Sequence, residues 1–247
     1  MPNQILGYYS SRKEKLLRDF DRASALMKDV VVARYGEEFA NTLQREVRQE
    51  YDKLIPEIPY TKGIRAKILN TFLILSAQGL AVYKAMNKHG KAPAEIWELC
   101  HQVLRLRAGM IPRWKRRLLT RLMFSGLLRK FMARRARQQQ RVSFGGFEAE
   151  YLIGEGDDFD WGINYLQCAI LRFMMKNGGE AFAPYICMSD IALSDALGWG
   201  LTRTQTLADG CDYCDFRFKK GATTQVSSKT PEVQAAIERI RDKKYCE

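Results

Sequence analysis

Asp190 follows Cys187 by three residues, a spacing that on a helix puts acid and thiol on one face together with Ser194. Tyr165, Cys168 and Arg172 likewise fall on one face of the preceding predicted helix. Leu201 to Leu207 and Tyr213 to Lys219 read as two strands joined by a loop holding Asp209 and Gly210, an antiparallel hairpin that carries Cys214. If both helical faces meet the hairpin, Cys168, Cys187, Asp190 and Cys214 converge. Such a cluster suits two chemistries. A thiol near cations, as Cys214 is near Arg217 and Lys219, can ionise and act as a nucleophile. The same four side chains are also ligand types for zinc. However, the two close pairs of a zinc ribbon are missing, and Cys211-x-x-Cys214 is a single pair. No cofactor or metal is therefore expected, zinc on that quartet is the alternative, and a redox role for the single pair ranks below both.

Strand alternation sets Cys214 with Phe216 and Phe218, and Asp215 with Arg217 on the opposite face. A small thiol packed in the core is thus the competing reading of Cys214. Arg217 is the best candidate to clamp a carboxylate, since a guanidinium fork matches it in bidentate geometry; an ion pair with Asp215 or Asp212 is the plainer alternative. Asp190 could be a general base if partial burial raises its pKa, or it could cap its helix. Thr204 and Thr206 share a face of the first hairpin strand, where hydroxyls can orient a polar ligand. His89 adjoins Gly90 at a helix end, where positive charge is favourable. His101 sits beside Cys100, but neighbours on a helix point apart. No serine–histidine–acid set is visible. Gly145-Gly146 and Gly154-x-Gly156 lack the strand–turn–helix context of a phosphate loop.

The elements that must position these residues divide at about residue 140. Residues 11–51 carry apolar positions at helical spacing with a break at Gly36. Pro56, Pro59 and Gly63 mark a turn, and helices follow from about Ile64 to Lys88 and from Pro93 to about Arg107. A basic amphipathic helix occupies 112–137. Phe147 to Ile153 alternates like a strand, an acidic loop spans Glu155 to Asp160, and helices are predicted over Trp161 to Lys176 and from Pro184 to Gly198. A short charged helix, Pro231 to Lys244, is expected to be peripheral. The pattern predicts a single α+β domain over 1–247, with a helical layer at 1–140 and a strand–helix–helix–hairpin part at 141–221.

With 247 residues and 46% apolar composition, the chain can bury a large core. It starts without the features of a signal peptide, and its six cysteines lack the density of a disulfide scaffold, so a cytoplasmic location with reduced thiols is expected. Leu69 to Met86, interrupted by Asn70, Ser76, Gln78 and Lys84, reads as a buried helix rather than a bilayer span. The net charge of +12 comes from one place: thirteen cations and no acid lie between Arg105 and Arg141, and the rest of the chain carries −1. That helix could lie on an anionic membrane surface. The plainer alternative is an apolar stripe packed on the core with arginines in water. Nothing supports specific nucleic-acid reading.

From Tyr165 to Gly221 the chain reads Tyr165-x-x-Cys168, Ala183-Pro184-x-x-Cys187-x-x-Asp190, Ala196-Leu197-Gly198, Arg203-Thr204-x-Thr206-Leu207-Ala208-x-Gly210 and Cys214-Asp215-Phe216-Arg217-Phe218. This ordered series resembles the signature of the L-2-amino-thiazoline-4-carboxylic acid hydrolase family. Upstream, Leu54-Ile55-Pro56-Glu57-Ile58-Pro59-Tyr60 is similar to that family's segment before its central helix, and the resemblance runs from about Tyr51 to Gly221. Two features depart from it: Thr61-Lys62-Gly63-Ile64 replaces a glycine pair and an asparagine, and Cys211 is additional. The resemblance implies hydrolytic opening of a 2-amino-thiazoline ring to N-carbamoyl-L-cysteine, on a small anionic amino-acid-like substrate. For that reaction the residue types and spacing make Cys214, Asp190 and Cys187 the catalytic candidates, and Arg217, Asp215, Thr204, Thr206, Tyr165 and Cys168 the candidates for substrate binding. A non-catalytic small-ligand sensor and a peripheral membrane protein are the alternatives. The oligomeric state is left open.

Overall fold

The computed structural model describes residues 4–5, 7–61, 66–138, 141–155 and 158–243. The expected bend at Gly63, Gly156 of the acidic loop, Lys244 and Cys246 lie outside them. In chain order the elements are β1 (Gln4–Ile5), α1 (Lys13–Tyr35), α2 (Glu37–Leu54), β2 (Tyr60–Thr61), α3 (Ala66–Lys88), α4 (Pro93–Gly109), α5 (Arg113–Met123) and α6 (Gly126–Arg137). There follow β3 (Val142–Phe144), β4 (Phe147–Ile153), β5 (Trp161–Gln167), α7 (Ala169–Lys176), α8 (Ala183–Cys187) and α9 (Asp190–Leu197). The last are β6 (Leu201–Arg203), β7 (Cys214–Phe218), β8 (Gln225–Val226) and α10 (Pro231–Lys243). The fold is α+β, as the pattern predicts.

The chain divides into two compact units. The first comprises Met1–Val103, Phe144–Gly146 and Ala169–Ile186. Its core is helical: Leu43, Val47 and Tyr51 of α2 and Leu73, Ala77, Leu80 and Met86 of α3 are almost entirely removed from water. Gly36 ends α1 with a positive φ of 85°, a conformation that favours glycine, and so separates α1 from α2 as expected. By length and composition α3 could cross a bilayer, contrary to the expectation from its polar interruptions, and about half of it is buried within the protein. His89 of this unit places Nε2 2.7 Å from the Glu46 carboxylate.

The second unit, Leu104–Ser143, Phe147–Cys168 and Cys187–Glu247, holds nearly all of a six-stranded mixed sheet in the order β3-β4-β5-β7-β6-β8. β6 and β8 run parallel, and the pairs β4–β5, β5–β7 and β6–β7 are antiparallel. Four sequence expectations are corrected here. The predicted helix from Trp161 begins as a strand, because Trp161 and Ile163 alternate inward while Gly162 leaves room for the Arg217 stem, whose Cδ would lie 2.8 Å from an added Cβ. The predicted helix after Pro184 is two short helices broken at Met188–Ser189. The basic helix is also two, separated at Ser125, whose hydroxyl accepts from the Leu128 amide at 3.2 Å and so starts α6 afresh. Finally, α10 is not peripheral: Val233, Ala236 and Ile237 are fully buried.

A further contrast concerns α5. None of its residues is buried, and Trp114, Leu118, Leu119 and Leu122 stand exposed, so the expected packing of this stripe on the core does not occur.

Candidate active site

Tyr165 of β5 pairs with Cys214 of β7, Ile163 with Phe216, and Trp161 with Phe218. Residues directly opposite across a ladder project from the same face, so tyrosine, thiol and phenylalanines line one side of the sheet. Tyr165 and Phe216 meet edge to face at 5.4 Å. On β6, Leu201 pairs with Phe218, and two residues on Arg203 points to the same side. Its guanidinium lies 4.9 Å from the centre of the Phe216 ring. Gly200 lets the start of β6 lie close to the end of β7, with φ of 58°, a Cβ position only 2.0 Å from the Lys219 carbonyl, and its own carbonyl accepting from the Lys219 amide at 3.1 Å.

Arg203 is the pivot of the arrangement. Only 1% exposed, it donates from Nη1 to Asp190 Oδ2 at 2.8 Å and from Nη2 to the Cys187 carbonyl at 2.7 Å, with Met188 Sδ at 3.2 Å. A buried charge is costly unless its donors find partners; Nη1 and Nη2 find theirs and tie Cys187 and Asp190 to the sheet, while Nε is buried without one. Asp190 is in the first turn of α9, where backbone amides also favour an anion. Its side chain is 37% exposed, so the carboxylate held by Arg203 keeps an opening to solvent.

The ionisation of each group registers the others. Burial raises the Asp190 carboxyl above the usual aspartate value, and the Arg203 guanidinium opposes this without cancelling it. Burial pushes the Cys214 thiol up to about 12, and the Leu207 amide, which donates to Sγ at 3.2 Å, only partly offsets it; Cys168, Arg203 and Asp190 act on it as well. Cys187 is raised well above a free thiol by burial and by Cys214, with Arg203 opposing. The Tyr165 phenol is raised by burial and by Tyr151, Cys168, Asp190 and Cys214. The structure thus brings Tyr165, Cys168, Cys187, Asp190 and Cys214 into one electrostatic neighbourhood, although from other elements than expected: Tyr165 sits on a strand, Cys168 at its end, and Cys187 and Asp190 on successive helices.

The expected lowering of the Cys214 pKa by Arg217 and Lys219 does not occur. Arg217 projects from the other face, where Nη1 donates to Asn164 Oδ1 and to the Phe216 carbonyl, both at 2.9 Å, and Lys219 is exposed. Asp215 shares that face and is engaged by the Thr204 amide at 3.0 Å, the Thr204 hydroxyl at 2.7 Å and the Gln205 amide at 2.8 Å, so it anchors a loop instead of pairing with Arg217. The strand ends at Arg203, so Thr204 and Thr206 do not share a strand face. Thr206 is wholly buried and donates to Asp209 Oδ2 at 2.9 Å; Ser228 and Thr230 donate to the other Asp209 oxygen at 2.5 and 2.9 Å. Arg172 lies on α7 and donates to the Gly146 carbonyl. Among the described residues no group of three or more His, Cys, Asp or Glu side chains is arranged to hold a metal ion.

The residue that sequence reasoning missed as a site component is Arg203. Its signal was present: period two on β6 sets it beside Leu201 on the inward face, and a cation on an inward face needs an acid.

With thiols this far above neutrality, resting thiolate is scarce. Alkylation by iodoacetamide near neutral pH is expected to label the peptides carrying Cys187 and Cys214 at least ~10-fold more slowly than free cysteine, followed by mass spectrometry. Labelling as fast as free cysteine would contradict the burial argument.

Neither a curated protein nor a solved structure matches the chain. A family model described as L-2-amino-thiazoline-4-carboxylic acid hydrolase matches residues 73–218, which span every residue of the cluster and leave the Leu54–Tyr60 segment outside. As that match takes in more than half of the sequence, the chain belongs to the L-2-amino-thiazoline-4-carboxylic acid hydrolase family.

Proposed function

We propose that the chain opens a 2-amino-thiazoline ring by hydrolysis, converting L-2-amino-thiazoline-4-carboxylate or a close relative to N-carbamoyl-L-cysteine. The observation that carries this reading is Asp190: a carboxyl of raised pKa, oriented by a buried guanidinium, open to solvent and surrounded by thiols and a phenol. Carbon 2 of the ring is amidine-like and electrophilic. Asp190 takes a proton from water as the oxygen bonds to that carbon. Collapse of the adduct breaks the carbon–sulfur bond, and the ring sulfur leaves with a proton, so one water is consumed and one thiol appears.

Water is favoured over a cysteine as the attacking group. With a pKa of about 12, Cys214 is ionised to only ~10⁻⁵ at neutral pH. In this reading Cys187, Cys214 and Tyr165 keep their protons and can supply the proton that sulfur needs.

The test is to incubate purified protein with the thiazoline and follow new free thiol against a protein-only blank. One thiol per ring opened is the expected result. Calorimetric binding of the thiazoline with no thiol released would replace the hydrolase by a small-ligand sensor.

A further inference from the structure

Helix α5 is mounted in reverse. Its polar side faces its own unit, where the Thr120 hydroxyl donates to the Leu197 carbonyl at the end of α9 at 2.6 Å. Arg113, Arg116, Arg117 and Arg121 from that side, with Lys220 and Asp195 opposite, line a cleft of about 540 Å³. Trp114, Leu118 and Leu122 recur every four residues and form the outward stripe, with Trp114 63% exposed. After the break, α6 opens on Leu127, 83% exposed. A soluble helix normally hides such a stripe, and a contiguous exposed apolar patch marks an interaction surface.

We propose that α5 and the start of α6 seat this unit on an anionic membrane surface. Trp114, Leu118, Leu122 and Leu127 enter the boundary between headgroups and acyl chains, while the exposed Lys115, over the Trp114 ring, and Lys130, one turn on from Leu127, meet the lipid phosphates. Charge decides between occupants. A second copy of the chain would set the thirteen cations of 105–141 against thirteen more, with no acid in the segment to neutralise them. A nucleic acid would satisfy the cations and leave the leucines without an apolar partner. An anionic bilayer satisfies both, since basic residues at its surface and apolar side chains below it contribute together.

The experiment is cosedimentation of the full chain with vesicles of phosphatidylcholine plus phosphatidylglycerol, and with vesicles of phosphatidylcholine alone, at rising salt. The expected result is binding to the mixed vesicles at low salt, weakening as salt rises, with little binding to the neutral ones. The double variant Leu118→Asp/Leu122→Asp alters only exposed positions, so its circular dichroism should be unchanged while its partition onto mixed vesicles falls by at least about tenfold. Fluorescence of the wild type should shift to the blue on binding, and that of Trp114→Phe should shift less. Three outcomes would overturn the proposal: no sedimentation with mixed vesicles at low salt, equal sedimentation of the double variant, or a stable wild-type dimer in ultracentrifugation that the double variant abolishes. The last would assign the face to a second copy.

Discussion

Asp190→Asn is expected to lower kcat/KM for thiazoline opening by ~10²–10⁴-fold, the usual contribution of a positioned general base, while the chain stays folded. Asparagine keeps an oxygen that can accept from Arg203 Nη1, now 2.8 Å from the carboxylate, so the contact with the α8–α9 junction is retained and only the basic site is lost. The pH profile gives a second, independent readout. Burial raises the Asp190 carboxyl, and catalysis needs its ionised form, so kcat/KM should climb with pH through an acid limb lying above the ordinary aspartate value of ~3.9. Cys214→Ser provides the contrast. If water is the attacking group and another acid protonates the sulfur, this variant keeps a large part of the activity; if it is as inactive as Asp190→Asn, the thiol is part of the chemistry, and a covalent adduct trapped on Cys214 and seen by mass spectrometry would overturn the water route. Retained activity in Asp190→Asn would remove the carboxylate from the chemistry altogether.

The sequence conveyed the helices of the first unit well because there each apolar stripe has one period and a clear stop. Gly36 separates α1 from α2, and Gly90 and Pro93 separate α3 from α4. It misled at Trp161, where two periods overlap. Trp161, Ile163 and Tyr165 alternate, but Leu166, Ala169, Ile170 and Phe173 follow at helical spacing, and the helix that truly starts at Ala169 extends its pattern backwards over the strand. The strands β3 and β8, of three and two residues, are too short to show any period. Their place is fixed by pairing with distant segments, which local spacing does not record.

The candidate site was legible as a set and not as a geometry. Tyr165, Cys168, Cys187, Asp190 and Cys214 act on one another's ionisation, yet the helical faces invoked to bring them together do not exist in that form. What brings them together is the register of β5 on β7, which sets Tyr165 beside Cys214, and the reach of Arg203 across to Asp190 and Cys187. Proximity in sequence had favoured Arg217 as the working cation. Alternation already placed it behind the sheet, and that simpler rule proved the better guide. The same geometry explains why the thiols are raised and not lowered: the Arg203 guanidinium on their side is bound to a carboxylate, and burial outweighs what field remains.

Arg203→Met should lower the stability of the chain by about 1–3 kcal/mol, the cost of leaving a buried acceptor without its donor, or a fall of about 5 °C in the unfolding transition for a protein of this size. Methionine fills part of the space beside Phe216 but restores none of the three contacts to Asp190, Cys187 and Met188. Asp190 is partly open and water can solvate it, so the larger share of the loss comes from the carbonyl of Cys187 and from the freed α8–α9 junction. Two comparisons separate this from ordinary core damage. In the double variant Arg203→Met/Asp190→Asn the two costs should sum to less than their separate values, because the pair is already broken. In the folded fraction of the single variant, loss of the opposing cation lets burial raise the Asp190 carboxyl further, so the acid limb of any remaining activity moves to higher pH. An Arg203→Met protein with wild-type stability, or with an acid limb unmoved, would show that the guanidinium is not what holds and tunes the carboxylate.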